Sequence, residues 1–240
     1  MGSFKVQYAA KSDIGRKRSS NQDSIIVQDQ SSLYAVADGM GGHSGGEVAS
    51  ALAVKTLEKV LRDNLGKGSC ADILERAVKI CNQVIYQQSQ NNPDLHGMGT
   101  TLTACVVNDP YVHIAQVGDS RCYLYRKGEL YQITEDHSQV YEILKAGLIT
   151  EESMSSFQNN VITRSVGYEE KVDVDIYNRI AHRGDRYLIC SDGLTGMVSN
   201  EQITRILYNF DIDQSVQNLV ELANQQGGED NISVVIFEIK

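Results

Sequence analysis

Tryptophan is absent, and proline nearly so, with 2 in 240 residues. A chain so poor in proline, and without a low-complexity tract, has no candidate for an extended linker. Its length suits one well-buried domain, or two small ones at most. No uninterrupted apolar run approaches the ~20 residues of a membrane span, which excludes an integral membrane helix. Positive charge is also scarce: 22 Lys and Arg stand against 31 Asp and Glu, a net charge of −9. That balance argues against nucleic acid as a partner and suits divalent cations, provided some carboxylates converge. No Cys-x-x-Cys occurs among the 5 cysteines, an odd number lying mostly in apolar runs. They read as buried free thiols of a reducing compartment. The opening residues Met1-Gly2-Ser3-Phe4-Lys5-Val6 lack the apolar stretch of a secretory leader, and Val6 stands where myristoylation needs Ser or Thr. The expectation is a soluble cytoplasmic protein with no membrane partner. A hydrophobic fraction of 41% excludes a disordered chain.

Periodicity divides the chain into strand clusters and helix pairs. Short strand-like runs cover Phe4–Ala10, Ser24–Val27 and Leu33–Ala37. Apolar residues then recur at helical spacing in Gly46–Asn64 (Ala49, Ala53, Leu57, Val60, Leu61) and Ala71–Gln88 (Ile73, Ala77, Ile80, Cys81, Val84). Between Thr101 and Ile133 lie β-like runs at Thr101–Val107, Tyr111–Val117, Arg121–Arg126 and Glu129–Ile133, joined by turn chemistry at Asn108-Asp109-Pro110 and Lys127-Gly128. Connections so short predict an antiparallel meander. A polar, partly helical excursion occupies Ser138–Tyr168. Strands at Val172–Tyr177 and Arg186–Cys190, helices near Glu201–Tyr208 and Asp213–Gln225, and a strand at Ile232–Ile239 complete the chain. The class predicted is α+β, with helices layered on antiparallel sheet.

The aspartates fall where strands end. Asp38-Gly39 follows Leu33–Ala37, Asp119 follows Val112–Gly118, Asp192-Gly193 follows Tyr187–Ser191, and Asp230 precedes the last strand; Asp23 stands in Asn21-Gln22-Asp23. Any one of these is accounted for by an ordinary Asp-Gly turn. If the strands lie in facing sheets, however, the carboxylates could gather at one edge of a sandwich. Gly39, Gly41, Gly42, Gly45 and Gly46 surround Asp38 more densely than a turn requires, and backbone without Cβ lets carbonyls approach an ion. Hard oxygen ligands without Cys–His pairing favour Mg²⁺ or Mn²⁺ over zinc. Residues 39–46 match neither nucleotide-loop glycine pattern and no parallel β-α-β unit surrounds them, which argues against a phosphate cradle of that kind.

Taken in order, the motifs resemble a family. They are Arg18-x-x-Asn21-Gln22-Asp23, Val36-Ala37-Asp38-Gly39-Met40-Gly41-Gly42-His43-x-Gly45-Gly46-Glu47, and Gly97-Met98-Gly99-Thr100-Thr101. Val117-Gly118-Asp119-Ser120-Arg121, Ile133-Thr134-x-Asp136-His137-Ser138, Cys190-Ser191-Asp192-Gly193 and Gly227-Gly228-x-Asp230-Asn231 follow. This series is similar to the metal-dependent, type 2C serine/threonine protein phosphatases in their compact bacterial form. The resemblance spans nearly the whole chain. It implies one phosphatase domain over residues 1–240: a central sandwich of two antiparallel sheets flanked by helix pairs, with a flap near 138–167. It also implies a binuclear Mg²⁺/Mn²⁺ centre and a third, weaker ion. On that pattern Asp38 bridges the two ions and the Gly39 carbonyl ligates the second. Asp192 and Asp230 hold the first, Asp23 meets the second mainly through water, and Asp119 with Asp192 serves the third. Arg18 matches the phosphate-binding arginine.

The implied activity is hydrolysis of phosphoserine and phosphothreonine in proteins by a metal-activated water, opposing a bacterial Ser/Thr kinase, in a monomer. Alternatives are a catalytically silent regulatory module of the same fold, or a phosphatase for a small phosphoester or a sigma-factor regulator. A departing seryl alkoxide needs a proton. Met40 occupies the position where eukaryotic members carry His, leaving His43 as general acid, as a group orienting metal-bound water, or as a helix cap. His137 reads as structural. In the flap, Ser156-Phe157-Gln158-Asn159-Asn160 keeps only the last residue of the common His-Pro-x-Arg-Asn.

Overall fold

Residues 4–42, 45–150 and 161–240 are described in the computed structural model of the chain. His43 and the Ser156–Asn160 stretch of the flap lie outside them. The chain runs β1 (Val6–Asp13), β2 (Asp23–Gln28), β3 (Leu33–Met40), α1 (Gly45–Asn64), α2 (Cys70–Asn91), β4 (Gly99–Thr100), β5 (Leu102–Asn108), β6 (Tyr111–Val117), β7 (Arg121–Arg126), β8 (Glu129–Gln132), α3 (Gln139–Lys145), β9 (Asp175–Ile180), β10 (Arg186–Cys190), α4 (Asp192–Thr195), α5 (Asn200–Asn209), α6 (Ile212–Gln225) and β11 (Ile232–Ile239). The helices of the sequence reading form within a few residues of their expected limits. Ser69, Ser199 and Asp211 cap α2, α5 and α6 by accepting from backbone N–H groups of the first turn. No helix among the described residues is long and apolar enough to cross a membrane.

Strands buried on both faces dictate the layers. In β3, Leu33, Ala35 and Ala37 pack with Ala49, Ala53 and Leu57 of α1 and Ala77 and Cys81 of α2. The alternate residues Tyr34 and Val36 face the other way, into a cluster with Tyr187, Ile189, Val235 and Phe237. β11 does the same from the opposite side: Ile232, Val234 and Ile236 meet Ile203, Leu207, Val216 and Leu219 of α5 and α6. Such double burial explains why β3 and β11 read as continuous apolar runs. The result is four layers, α–β–β–α. One sheet has the order β1-β11-β10-β7-β8, the other β2-β3-β5-β6-β9 with β4 also on β3, and the pairings are antiparallel. The 5 cysteines are free and buried, as expected.

The expected meander is corrected. β5 and β6 form one hairpin and β7 and β8 another, but β6 pairs with β9 and β7 with β10, in different sheets. A short connection between β6 and β7 therefore crosses the sandwich instead of turning back. Gly118, at φ +101°, makes the turn possible. A Cβ there would lie 2.6 Å from the Thr101 side chain, so the crossover packs directly on the residue that precedes β5. β9 also begins later than expected, because Val172 and Val174 pack on the α1–α2 side before pairing starts.

Between the sheets, Phe237 stacks on Tyr34 with ring centroids 4.4 Å apart and on Tyr187 at 4.9 Å. Phe237→Ala should lower the unfolding free energy in urea by about 3–5 kcal/mol. Tyr208→Ala, 73% exposed on α5, should stay within about 0.5 kcal/mol of the parent. Equal losses in the two variants would contradict this placement of the core.

Candidate metal centre

The sheet ends bring the aspartates to one edge. β2–β3 register sets Asp23 directly across from Asp38. The Asp38 backbone is clamped: its N–H donates to Thr101 Oγ1 at 2.9 Å, and its carbonyl accepts from Thr101 N at 2.8 Å and Thr100 Oγ1 at 2.9 Å. Gly39 must be glycine, since a Cβ would fall 2.0 Å from the Gly46 carbonyl at the start of α1. From the other sheet, Ser191 follows β10 and stands immediately before α4, whose first residue is Asp192. Gly193 allows that turn to close on Asp230-Asn231, because a Cβ would meet the Asn231 carbonyl at 2.0 Å. Ser191 Oγ donates to Asp23 Oδ2 at 2.8 Å, tying the two sheets together at the site.

Asn231 organises the approach. Its Oδ1 accepts from Gln22 N at 2.8 Å, and its Nδ2 donates to Ile14 O at 2.9 Å and Ser20 O at 3.0 Å. Arg16 N and Lys17 N donate to Gly228 O at 2.7 and 3.2 Å. This fixes the 14–22 loop over the acidic edge, where Arg18 Nη2 meets Asp230 Oδ2 at 2.6 Å. The other Asp230 oxygen accepts from Asn231 N at 2.7 Å. Ser191 and Asn231, and Thr101 through Asp38, are positioning residues to which the sequence reading gave no role. Their presence in the ordered motifs was the available signal.

Electrostatics shows how crowded the edge is. Burial, then Asp23, Asp192, Asp119 and Asp230, pushes the Asp38 carboxyl well above the ordinary range. Asp192 is raised by burial and by Asp230, against a hydrogen bond from Asp38 and attraction to Arg18 and Arg121. Asp23 is raised to about 6, chiefly by burial, with Asp192 and Asp230 adding to it. Asp119, in the β6–β7 crossover, is 3% exposed and raised to about 7 by burial, then by Asp192 and Asp136. Arg18 feels Asp230, Asp38 and Asp192 together. Thus Asp23, Asp38, Asp119, Asp192, Asp230 and Arg18 share one electrostatic environment.

This donor set suits a hard divalent cation. Asp23 Oδ1 and Asp192 Oδ1 are buried without a hydrogen-bond partner, and each needs a positive charge or a donor. Among the described residues, no three His, Cys, Asp or Glu side chains are already converged as a closed cage. Their oxygens are instead turned to Ser191, to Asn231 N and Arg18, and to the Asp38–Asp192 hydrogen bond.

Comparison with known proteins places the chain in a family. The protein phosphatase 2C family profile matches residues 14–234. The serine/threonine protein phosphatase PstP of Mycobacterium tuberculosis is 43% identical over 235 residues, 98% of this chain. This chain spans 45% of that relative's length. The serine/threonine phosphatase stp of Listeria monocytogenes serotype 4b is 39% identical over 236 residues, covering 95% of this chain and 94% of the relative. A crystal structure of the PstP catalytic domain in complex with 2 manganese ions superposes with a TM-score of 0.90 at 41% identity, covering 98% of each chain. The four-layered sandwich is therefore that of the serine/threonine phosphatases. The chain belongs to the protein phosphatase 2C family.

A pH dependence follows. Carboxyls raised in the folded state leave stability intact below the unfolded value of 3.8 and reduce it progressively as pH rises through about 6 and about 7. His137, held below its usual value by burial, acts in the opposite sense as pH falls, but it is one group against several. In chelator, the melting temperature should be higher at pH 5 than at pH 8, and Mn²⁺ should raise it more at pH 8. A melting temperature higher at pH 8 in chelator would contradict the crowded edge.

Proposed function

We propose that this chain is a metal-dependent protein serine/threonine phosphatase, that residues 1–240 form one domain, and that its cofactors are Mg²⁺ or Mn²⁺. The observation that carries the reading is the buried pair of unpartnered oxygens, Asp23 Oδ1 and Asp192 Oδ1, contributed by opposite sheets to one acidic edge with Arg18 at its mouth. Asp38, Gly39, Asp192 and Asp230, with Asp23 mainly through water, hold two tight ions in this reading; Asp119 and Asp192 hold a third, weaker one. Bound there, the ions would supply the charge that lowers the pKa of a water towards neutrality, and with it a nucleophile at physiological pH.

The chain's own residues do the rest. Arg18, 52% exposed at its side chain, is free to turn its guanidinium from Asp230 to two oxygens of an incoming phosphoryl group. Asn231 and Gly228 hold the loop that delivers it. The clamp by Thr100 and Thr101 fixes the backbone that carries the Asp38 carboxylate before substrate arrives, which lowers the reorganisation needed during reaction. His43 is assigned to the proton for the departing seryl or threonyl oxygen, or to orienting water. The substrates are phosphoproteins, and the relatives named serine/threonine phosphatases support that class. A cognate Ser/Thr kinase and a monomeric state complete the proposal. A catalytically silent module is disfavoured because every acidic position of the motif series is retained.

Asp192→Asn should lower Mn²⁺-dependent phosphate release from a phosphoserine protein by more than the roughly 100-fold reached by losing an outer contact. Near-parental release would refute the assignment. Arg18→Ala should lower kcat/KM by about 10- to 100-fold, as for loss of a hydrogen bond to a charged group. A greater rate on p-nitrophenyl phosphate than on the phosphoprotein, at equal concentration, would favour the small-phosphoester alternative.

A further inference from the structure

The β6–β7 crossover that carries Asp119 is gripped twice by His137. Its backbone N–H donates to Gly118 O at 2.9 Å, and its ring Nδ1 accepts from Gly118 N–H at 3.0 Å. Gln116 Nε2 adds a third bond, to Gly118 O at 2.8 Å. Accepting the Gly118 N–H leaves Nδ1 bare, which places the ring proton on Nε2. Nε2 lies 3.1 Å from Asp175 Oδ2 on β9, and the other Asp175 oxygen accepts from Arg164 Nη1 at 2.8 Å. Arg164 Nη1 is also 3.2 Å from Nε2, but both are donors and the carboxylate between them serves both.

An Asp–His pair of this kind resembles an acid–base device, yet the ring is 7% exposed and engaged at both nitrogens. It has no open path to a substrate. What it touches is the backbone immediately before Asp119. Contacts outside a coordination sphere commonly set the direction of the ligands within it. His137 O further accepts from Thr163 N at 2.9 Å, so the same residue joins the segment following the flap to the crossover.

We propose that His137, fixed in its Nε2–H tautomer by Asp175, is a positioning residue that aims Asp119 at the third, weaker ion. This rests on the assignment of Asp119 to that ion made above. Loss of the ring frees the Gly118 N–H and lets the crossover relax, which weakens the third ion and leaves the two tight ions in place.

The test is Mn²⁺ binding followed by the EPR signal of the free ion, alongside phosphate release, in the parent, Asp119→Ala, His137→Ala and His137→Asn. Asparagine presents an acceptor near the Nδ1 position and so keeps the Gly118 contact while losing Asp175. His137→Ala should retain the tight ions and raise the half-saturating Mn²⁺ concentration of the weak phase roughly tenfold. Excess Mn²⁺ should restore its rate, and His137→Asn should recover most of the lost affinity. Asp119→Ala should lose the weak phase at any concentration. A folded His137→Ala with parental weak-phase binding, while Asp119→Ala has lost that phase, overturns the positioning role and leaves the Asp119 assignment standing. Retention of the weak phase in Asp119→Ala overturns the assignment and the proposal with it. If His137→Ala fails to fold, Asp175→Ala is read in its place: a raised half-saturation supports the role, and a parental one overturns it.

Discussion

Carboxylates that two sheets force into one buried edge repel one another once ionised, and the neighbourhood of Asp38 consists largely of such groups. Burial removes the water that would screen them, so the repulsion is stronger than on a surface. The Arg18–Asp230 ion pair relieves part of it. Divalent cations relieve much more, because each supplies two positive charges to the crowded oxygens. The fold maintains an unfavourable arrangement of charge that a metal converts into a favourable one.

The cost of keeping that edge assembled is met elsewhere in the sandwich. Stacking of Tyr34 on Phe237 bridges the two sheets, and the helix pairs seal their outer faces. Gly39 and Gly193 allow backbone to approach to distances that any side chain would forbid. Ser191 and Asn231 then stitch the two sheet ends to each other and to the Arg18 loop. Strands and the turns at their ends thus deliver the carboxylates, while the cation of substrate contact rides on a loop tied down by hydrogen bonds.

Much of this was legible before any coordinates. Apolar runs such as Ile232–Ile239 announce doubly buried strands, and aspartates at strand ends announce an acidic edge once strands are assigned to facing sheets. The crossover at Gly118-Asp119 was not legible, because a short connection favours a hairpin and only the tertiary grip of His137 and the packing on Thr101 turns it across the sandwich. The roles of Ser191 and Asn231 were hidden for a similar reason: their partners, Asp23, Ile14 and Ser20, are distant in sequence. Local pattern fixes elements well, but it carries little information about which loops meet.

The central claim is that Asp38, Asp192 and Asp230 share metal ions at the joined sheet ends. Anomalous diffraction at the manganese edge, from crystals of this chain grown in Mn²⁺, addresses it directly. The account predicts two strong peaks within coordination distance of these carboxylates, separated by roughly 3.5–4 Å. Peaks only at surface carboxylates, with the three side chains still turned to their present partners, would contradict it.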